Sequence, residues 1–490
     1  MCHNAWCYHA DMRILYCLLV ASLASALVTP AQAAPDKPNI LFFFADDLRA
    51  SALGCYGHPD AKTPNIDKLA SQGTLFTRAY IMGGNQGAVC VPSRAMQLSG
   101  RSLFTVDSAL KNTPTWPMAL REAGYAANFS GKWHNGAASA AASFPGARSV
   151  FLGGMSDQFK VKLVDLRPAS APATDPAAGT AKQSEKHSSE VFADEAIRFI
   201  EAGKGAGKAW VMYVPFTAPH DPREAPKEWH DQFDPAKMTV PANFLPEHPF
   251  DNGELTIRDE KLEKFPRTKE AIQKHWADYH AIIAHMDAQI GRVLAALEAS
   301  GQSKNTIVIF AADNGLAMGS HGLMGKQSVY EHSVQVPLII SGAGGGGAGG
   351  LPAGKKSDAL CYILDLCPTI CELAGAKPPE GSIGKSLVPV VRGETNKHRD
   401  ALVFAYRNLM RGVRDEQFKA IWYPPINRWQ LFDLTSDPLE QKDLSADPQH
   451  AETLAAMQKK LTTLRTSMGD NAELPAKQPG NQPKKKDKAK

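Results

Sequence analysis

The chain has 490 residues, 43% of them hydrophobic and 21% charged; that is enough apolar surface for a sizeable core, and it excludes disorder or a coiled coil as a general description. The formal charge of +4 comes from 54 Lys and Arg against 50 Asp and Glu. Six lysines and one aspartate lie between Lys477 and Lys490, so the rest is close to neutral and a nucleic-acid footprint across a folded face is excluded.

At the N-terminus, Arg13 precedes an uncharged, mostly apolar run from Ile14 to Val28, and Ala31-Gln32-Ala33 follows. The run is too short to span a bilayer and ends in small residues suited to cleavage. We expect a signal peptide over 1–34, a protein exported to the periplasm or secreted, and no stable membrane anchor after cleavage. Met12 fits the start of such a signal better than Met1. Five cysteines would remain: Cys55, Cys90, Cys361, Cys367 and Cys371. An odd number in an oxidising compartment leaves at least one thiol free or chemically altered.

Next come short β-type runs that each end in polar residues. Asn39 to Phe44 stops at Asp46-Asp47, and Tyr125 to Phe129 leads into Gly131-Lys132-Trp133-His134. Trp210 to Val214 leads into Thr217-Ala218-Pro219-His220, and Thr306 to Phe310 into Asp313-Asn314. Helical patterns lie between them: Asn65 to Ser71, Ser188 to Glu201, and a long amphipathic helix with Trp276, Tyr279, Ile283, Met286, Ile290, Val293 and Leu297 on one face. This alternation predicts an α/β fold, a large and mostly parallel sheet sandwiched by helices. In such sheets ligands gather beyond the carboxyl ends of strands, so four segments can supply one crevice.

Asp165 to Glu190 reads as a surface loop, Gly342 to Gly350 as irregular chain, and Asp234 to Pro266 as an insertion lining a pocket rim. Ala359 to Ala374 reads as an apolar helix with Cys361, Cys367 and Cys371 as buried structural thiols. A boundary near residues 376–386 separates a main domain, 36–376, from a smaller α+β subdomain, 385–470. That subdomain contains the β-type runs Ala401 to Tyr406 and Ala420 to Tyr423, and a disordered basic tail, 471–490, follows it.

Asp46-Asp47 and Asp313-Asn314 offer carboxylate and amide oxygens, which suit a hard divalent cation, calcium first and magnesium second; no His or Cys pair accompanies them as zinc would want. Taken singly, each pair is also a plausible turn or cap. Cys90-Val91-Pro92-Ser93-Arg94 places Cys90 at a helix N-terminus, where unpaired N–H groups favour an anion. A buried small hydrophobe is the alternative reading of Cys90, and Arg94 four residues on weighs against it.

These residues resemble the type I sulfatases of the alkaline phosphatase superfamily over Pro38 to Leu444. Cys90-Val91-Pro92-Ser93-Arg94 is similar to the Cys-x-Pro-x-Arg signature of that family, and Asp46, Asp47, Lys132, His134, His220, Asp313, Asn314 and Lys326 follow the family's order. The resemblance implies an alkaline phosphatase-like fold and a formylglycine made from Cys90 by a separate maturation enzyme. It implies metal ligation by Asp46, Asp47, position 90, Asp313 and Asn314. It further implies attack on sulfur by one hydroxyl of the hydrated aldehyde, with the other hydroxyl expelling sulfate. Arg94, Lys132, His134, His220 and Lys326 would be the remaining catalytic groups, with Lys132, His220 and Lys326 on the substrate. Arg94, Lys132 and Lys326 balance the three aspartates, so a divalent cation leaves the pocket wanting an anion.

The expected activity is sulfuric ester hydrolysis, on a sulfated carbohydrate or another alkyl sulfate. Two alternatives remain open at this point: a phosphate or phosphonate diester hydrolase of the same superfamily, and a non-catalytic binder of sulfated glycans whose Cys90 stays a thiol.

Overall fold

The protein is described here from a computed structural model that covers residues 1, 37–172, 177–205, 207–342 and 351–474. The expected signal peptide, the glycine run beyond Gly342 and the chain from 475 onward lie outside the described residues.

The apolar run after Pro38 forms strand β1 (Asn39–Ala45), buried along its whole length because other strands or helices cover every side of it. The same sheet contains β2 (Gly73–Tyr80), β3 (Ala126–Phe129), β4 (Trp210–Pro215), β5 (Thr306–Ala312), β6 (Gln335–Gly342) and β7 (Lys355–Ser357). Their order is β7-β2-β6-β5-β1-β4-β3, with β8 (Cys361–Tyr362) also paired to β2. β1 is parallel to both β5 and β4, and β4 to β3, whereas β6 runs antiparallel between β5 and β2. The sheet is therefore mixed and mostly parallel, as expected. The register pairs Ala45 with Ala312, so Asp46-Asp47 and Asp313-Asn314 leave adjacent strands at the same level.

Helices cover the sheet in two groups. α1 (Pro64–Ser71) and α4 (Ser188–Ala202) each pack against α5 (Lys269–Ala299). α2 (Cys90–Ser99), α3 (Trp116–Glu122) and α6 (Leu366–Leu373) form the other group. The predicted face of α5 is buried throughout, and the Thr268 hydroxyl caps its start by accepting the Ala271 N–H. One expectation fails. Ala359 to Ala374 is not a single helix, because Cys361–Tyr362 pairs with β2 before a turn, and helix begins only at Leu366. Backbone pairing to the stretch of β2 that β7 leaves uncovered overrides the local apolar periodicity. All five described cysteines are free.

A second sheet holds β9 (Leu402–Tyr406), β10 (Met410–Arg414), β11 (Phe418–Tyr423) and β12 (Arg428–Asp433), covered by α7 (Ala451–Ser467). Its edge is completed by Gly83–Gly84, which pairs with β9, and the described residues from Pro38 onward form one compact unit. A buried ionic cluster joins the two sheets. Glu331 accepts from Tyr80 Oη (2.7 Å), Arg414 Nη1 (3.1 Å) and Lys419 Nζ (2.9 Å), and Lys419 also meets Glu440 at 2.8 Å. Removing one partner from such a cluster leaves buried charge uncompensated. Glu331→Gln is expected to cost about 3 kcal/mol, read as a lower urea midpoint at unchanged slope.

Candidate active site

Four strand ends and one helix start build the site. Asp46 and Asp47 follow β1, and Lys132 and His134 lie just beyond β3. His220 follows β4, Asp313 and Asn314 follow β5, and Cys90 is the first residue of α2. Asp47 and His134 adopt positive φ angles of 64° and 70°, a conformation that costs a non-glycine residue free energy and must be held in place by its surroundings. For Asp47 the hold is visible: its N–H donates to Asp313 Oδ1 (3.0 Å) and its carbonyl accepts from the Tyr279 hydroxyl (2.6 Å).

The ten residues singled out in the sequence form one contact network. Arg94 Nε donates to Asp313 Oδ2 (2.9 Å), and its Nη2 lies 3.6 Å from Asp46 Oδ1. Lys132 Nζ donates to Asp46 Oδ2 (2.5 Å) and to the Gly154 carbonyl (2.6 Å). Lys326 Nζ spans both oxygens of Asp47 (2.7 and 2.8 Å), and Asn314 Nδ2 donates to Asp47 Oδ1 (2.8 Å). His220 Nε2 lies 3.5 Å from Asp47 Oδ2. Cys90 Sγ stands 3.2 Å from His134 Nδ1 and 3.8 Å from Lys132 Nζ. All of them are buried except His134, which is partly exposed.

This density of charge moves proton affinities apart. Burial alone would raise Asp46, but Lys132, then His220, Arg94 and Lys326, outweigh it and hold its carboxyl far below the usual value. Asp313 goes the other way: burial, then the charge of Asp46, pushes it up against the pull of Arg94. Burial pushes the Cys90 thiol up to about 11, so at neutral pH it is not a thiolate. Burial, then Lys132, pushes His134 down to about 2, leaving a neutral ring.

The acidic groups fit a hard cation. Asp46, Cys90 and Asp313 each place a ligand atom within 4.8 Å of the others. Asp46 Oδ1 and Asn314 Oδ1 are buried without a hydrogen-bond partner, and an unpaired buried oxygen is costly unless a cation meets it. The oxygen-rich donor set suits calcium or magnesium.

Several contributors went unread in the sequence. Ser93 Oγ donates to the Asp313 carbonyl (2.5 Å). His220 Nδ1 donates to the Asp221 carbonyl (2.7 Å), and the Asp221 carboxylate pairs with Arg258 from the 234–266 insertion. Asp221 could have been suspected from its place beside His220; nothing local marks Arg258. His321 and His332 pack on Tyr330, and His321 Nε2 donates to the Glu440 carbonyl (2.9 Å). Arg407 pairs with Glu254 at 2.7 Å, and Trp422 stacks on Trp429.

Comparison with known proteins is consistent with this geometry. The Sulfatase family profile matches residues 38–376, and the profile described as N-sulphoglucosamine sulphohydrolase, C-terminal, matches 319–467. An N-acetylglucosamine-6-O-sulfatase of Bacteroides thetaiotaomicron is 26% identical over 94% of this chain and 91% of its own. The iduronate 2-sulfatase of Mus musculus is 30% identical over 75% of this chain and 74% of its own. Among solved structures, a protein in complex with its substrate D-glucosamine-2-N,6-O-disulfate superposes with a TM-score of 0.74 at 24% identity, covering 89% of this chain and 99% of that one. The phosphonate monoester hydrolase of Agrobacterium radiobacter gives a TM-score of 0.69 at 24% identity, over 88% and 96%. Among the described residues, no helix is long and apolar enough to cross a membrane.

Proposed function

Because this chain belongs to the sulfatase family and hydrolyses sulfate esters, we propose that it does so with a formylglycine at position 90 and a calcium ion on Asp46, Asp47, Asp313 and Asn314, releasing sulfate from a sulfated carbohydrate. The observation that carries this reading is the single network in which Cys90 Sγ faces His134 and Lys132 across the acidic cluster. When bound, the modified residue and the ion supply an activated oxygen nucleophile and Lewis acidity toward the sulfuryl group.

The chain's own side chains do the rest. Arg94 fixes the Asp313 carboxylate and, through Nη1 to the Lys132 carbonyl (2.9 Å), holds the segment that carries His134. Lys132 and Lys326, each anchored on a carboxylate, present ammonium charge to sulfuryl oxygens, and one such contact is typically worth ~3 to 4 kcal/mol in the barrier. Neutral His134, with Nδ1 3.2 Å from Sγ, accepts the proton from the group at position 90 in the sulfate-releasing step. His220 has its Nδ1 proton engaged by the Asp221 carbonyl, so Nε2 is the nitrogen left to face the substrate; with a second proton on Nε2, the ring shares with Lys326 the donation of a proton to the departing alcohol.

A sugar sulfate is supported by the rim. A cavity of about 700 Å³ beside His220 is lined by Met155, Phe159, Asp221, Arg223, His230 and Arg258; it offers apolar faces and charged hydrogen-bonding groups together, which suits a ring bearing hydroxyls. The two sulfatases described above, an N-acetylglucosamine-6-O-sulfatase and an iduronate 2-sulfatase, are both named for sugar sulfates and support the same class. Export through a cleaved signal peptide and maturation by a separate enzyme complete the proposal.

Mass analysis of the tryptic peptide containing Cys90 tests the first half: an aldehyde or its hydrate is expected, and an unmodified thiol would favour the glycan binder. A turnover panel of aryl sulfate, phosphate monoester and phosphate diester tests the second half, and faster phosphate diester cleavage would overturn it. Arg258→Ala, which frees the Asp221 carboxylate beside His220, is expected to lower kcat/KM for aryl sulfate about tenfold, the worth of one charged hydrogen bond.

A further inference from the structure

A second set of metal-type ligands lies among the described residues, apart from the Cys90 network. His58 and Asp60 sit in the segment between β1 and α1, and His280 sits on the buried face of α5. One ligand atom from each falls within 4.8 Å of the other two. His280 is 1% exposed, and neither ring nitrogen has a hydrogen-bond partner. A buried polar group left in that state costs about 1–3 kcal/mol and asks for a partner.

Aromatic packing does not supply one. His280 lies against Phe233 (5.7 Å, stacked), Trp276 (5.3 Å) and His58 (4.5 Å). Ring faces satisfy dispersion, whereas the lone pair and the N–H of imidazole lie in the ring plane. The other two ligands are held in position. His58 stacks on Trp276 (5.0 Å), and Asp60 Oδ2 accepts the Thr239 N–H (2.7 Å); neutral imidazole has a single lone pair, so the Asp60 N–H that His58 Nδ1 accepts at 3.2 Å is released when the ring binds a metal ion.

We propose that His58, Asp60 and His280 bind a zinc ion. Two imidazoles and one carboxylate are a borderline donor set that selects zinc over calcium or magnesium. Both His58 and Asp60 are half-buried, so the fourth position opens to water. Ligand atoms around tetrahedral zinc stand ~3.4 Å apart, and these three lie within 4.8 Å of one another, so a small inward shift closes them on the ion. The ion would tie the segment before α1 to the turn of α5 that carries Tyr279. The Tyr279 hydroxyl donates to the Asp47 carbonyl (2.6 Å) and accepts the Arg49 N–H (3.2 Å). Zinc there braces the strained acidic pair from behind and touches no substrate.

The test titrates the full chain with Zn²⁺, and with Co²⁺ as a visibly absorbing stand-in, in excess calcium so that the acidic cluster around Asp47 is saturated. We expect one saturable zinc equivalent, a cobalt band, and a thermal transition that zinc raises. His280→Phe keeps the ring stacking, and Asp60→Asn keeps the shape of the side chain; each is expected to weaken zinc binding by more than about tenfold. No saturable zinc in the wild-type chain, or affinity within about tenfold of wild type in either variant, overturns the site.

Discussion

Cys90→Ala is expected to lower sulfate-ester turnover by about 10⁶-fold, the loss seen when a covalent nucleophile is removed from an otherwise complete site. The reason is geometric. Cys90 opens α2, and its side chain reaches both His134 and Lys132; the unpaired N–H groups expected there are not found, because Val91 and Ser93 donate to the Ala88 and Val89 carbonyls and Pro92 has no N–H. The thiol itself, pushed up to about 11 by burial, is a poor nucleophile at neutral pH. Alanine leaves Arg94, Lys132, Lys326 and the acidic cluster in place but gives them nothing to activate. The fold tolerates the change, because a small buried side chain loses about 1 kcal/mol of packing. Steady-state rates with aryl sulfate, alongside the thermal transition, check both halves. A variant within about a hundredfold of wild type would show that position 90 does not carry the nucleophile.

Much of the site was legible because the fold concentrates polar residues where buried strands end. After their first residue β1 and β5 are uninterrupted apolar runs, and the first polar residues beyond them are Asp46-Asp47 and Asp313-Asn314. Their pairing at the same level needs only a parallel register, Ala45 opposite Ala312. β6 was not legible. Pro337 interrupts its apolar run, and the structure resolves the conflict with a register shift between Val336 and Leu338 that spares the missing N–H. β2 escaped for a related reason: its polar Thr74, Thr77 and Arg78 break the apolar pattern that marked the other central strands. Cys361 shows the same limit, since its strand exists only because β2 offers an edge. Arg258 is the hardest case. It reaches Asp221 from an insertion whose path is set by contacts spread over the whole segment, and no local spacing encodes that path.

Asp313→Asn is expected to lower kcat/KM by about 10³-fold or more, and saturating calcium should not restore it. Both oxygens of this carboxylate accept: Oδ1 takes the Asp47 N–H (3.0 Å) and Oδ2 takes Arg94 Nε (2.9 Å). An amide supplies one oxygen and one NH₂, so either orientation sets a donor against a donor. If the NH₂ faces Arg94, the guanidinium loses its close buried counterion and keeps the Lys132 carbonyl and the 3.6 Å approach to Asp46. If it faces Asp47, the backbone that holds φ at 64° loses its anchor, and the Asp47 carboxylate under Lys326 shifts with it. The cation affinity falls as well, because one of three negative charges has gone. Calcium titration of the rate separates these effects: the half-saturating concentration should rise, and the plateau should stay about 10³-fold low. A plateau that recovers to wild type would mean that Asp313 serves the ion alone, whereas the geometry has it aligning Arg94 and the Asp47 backbone at the same time.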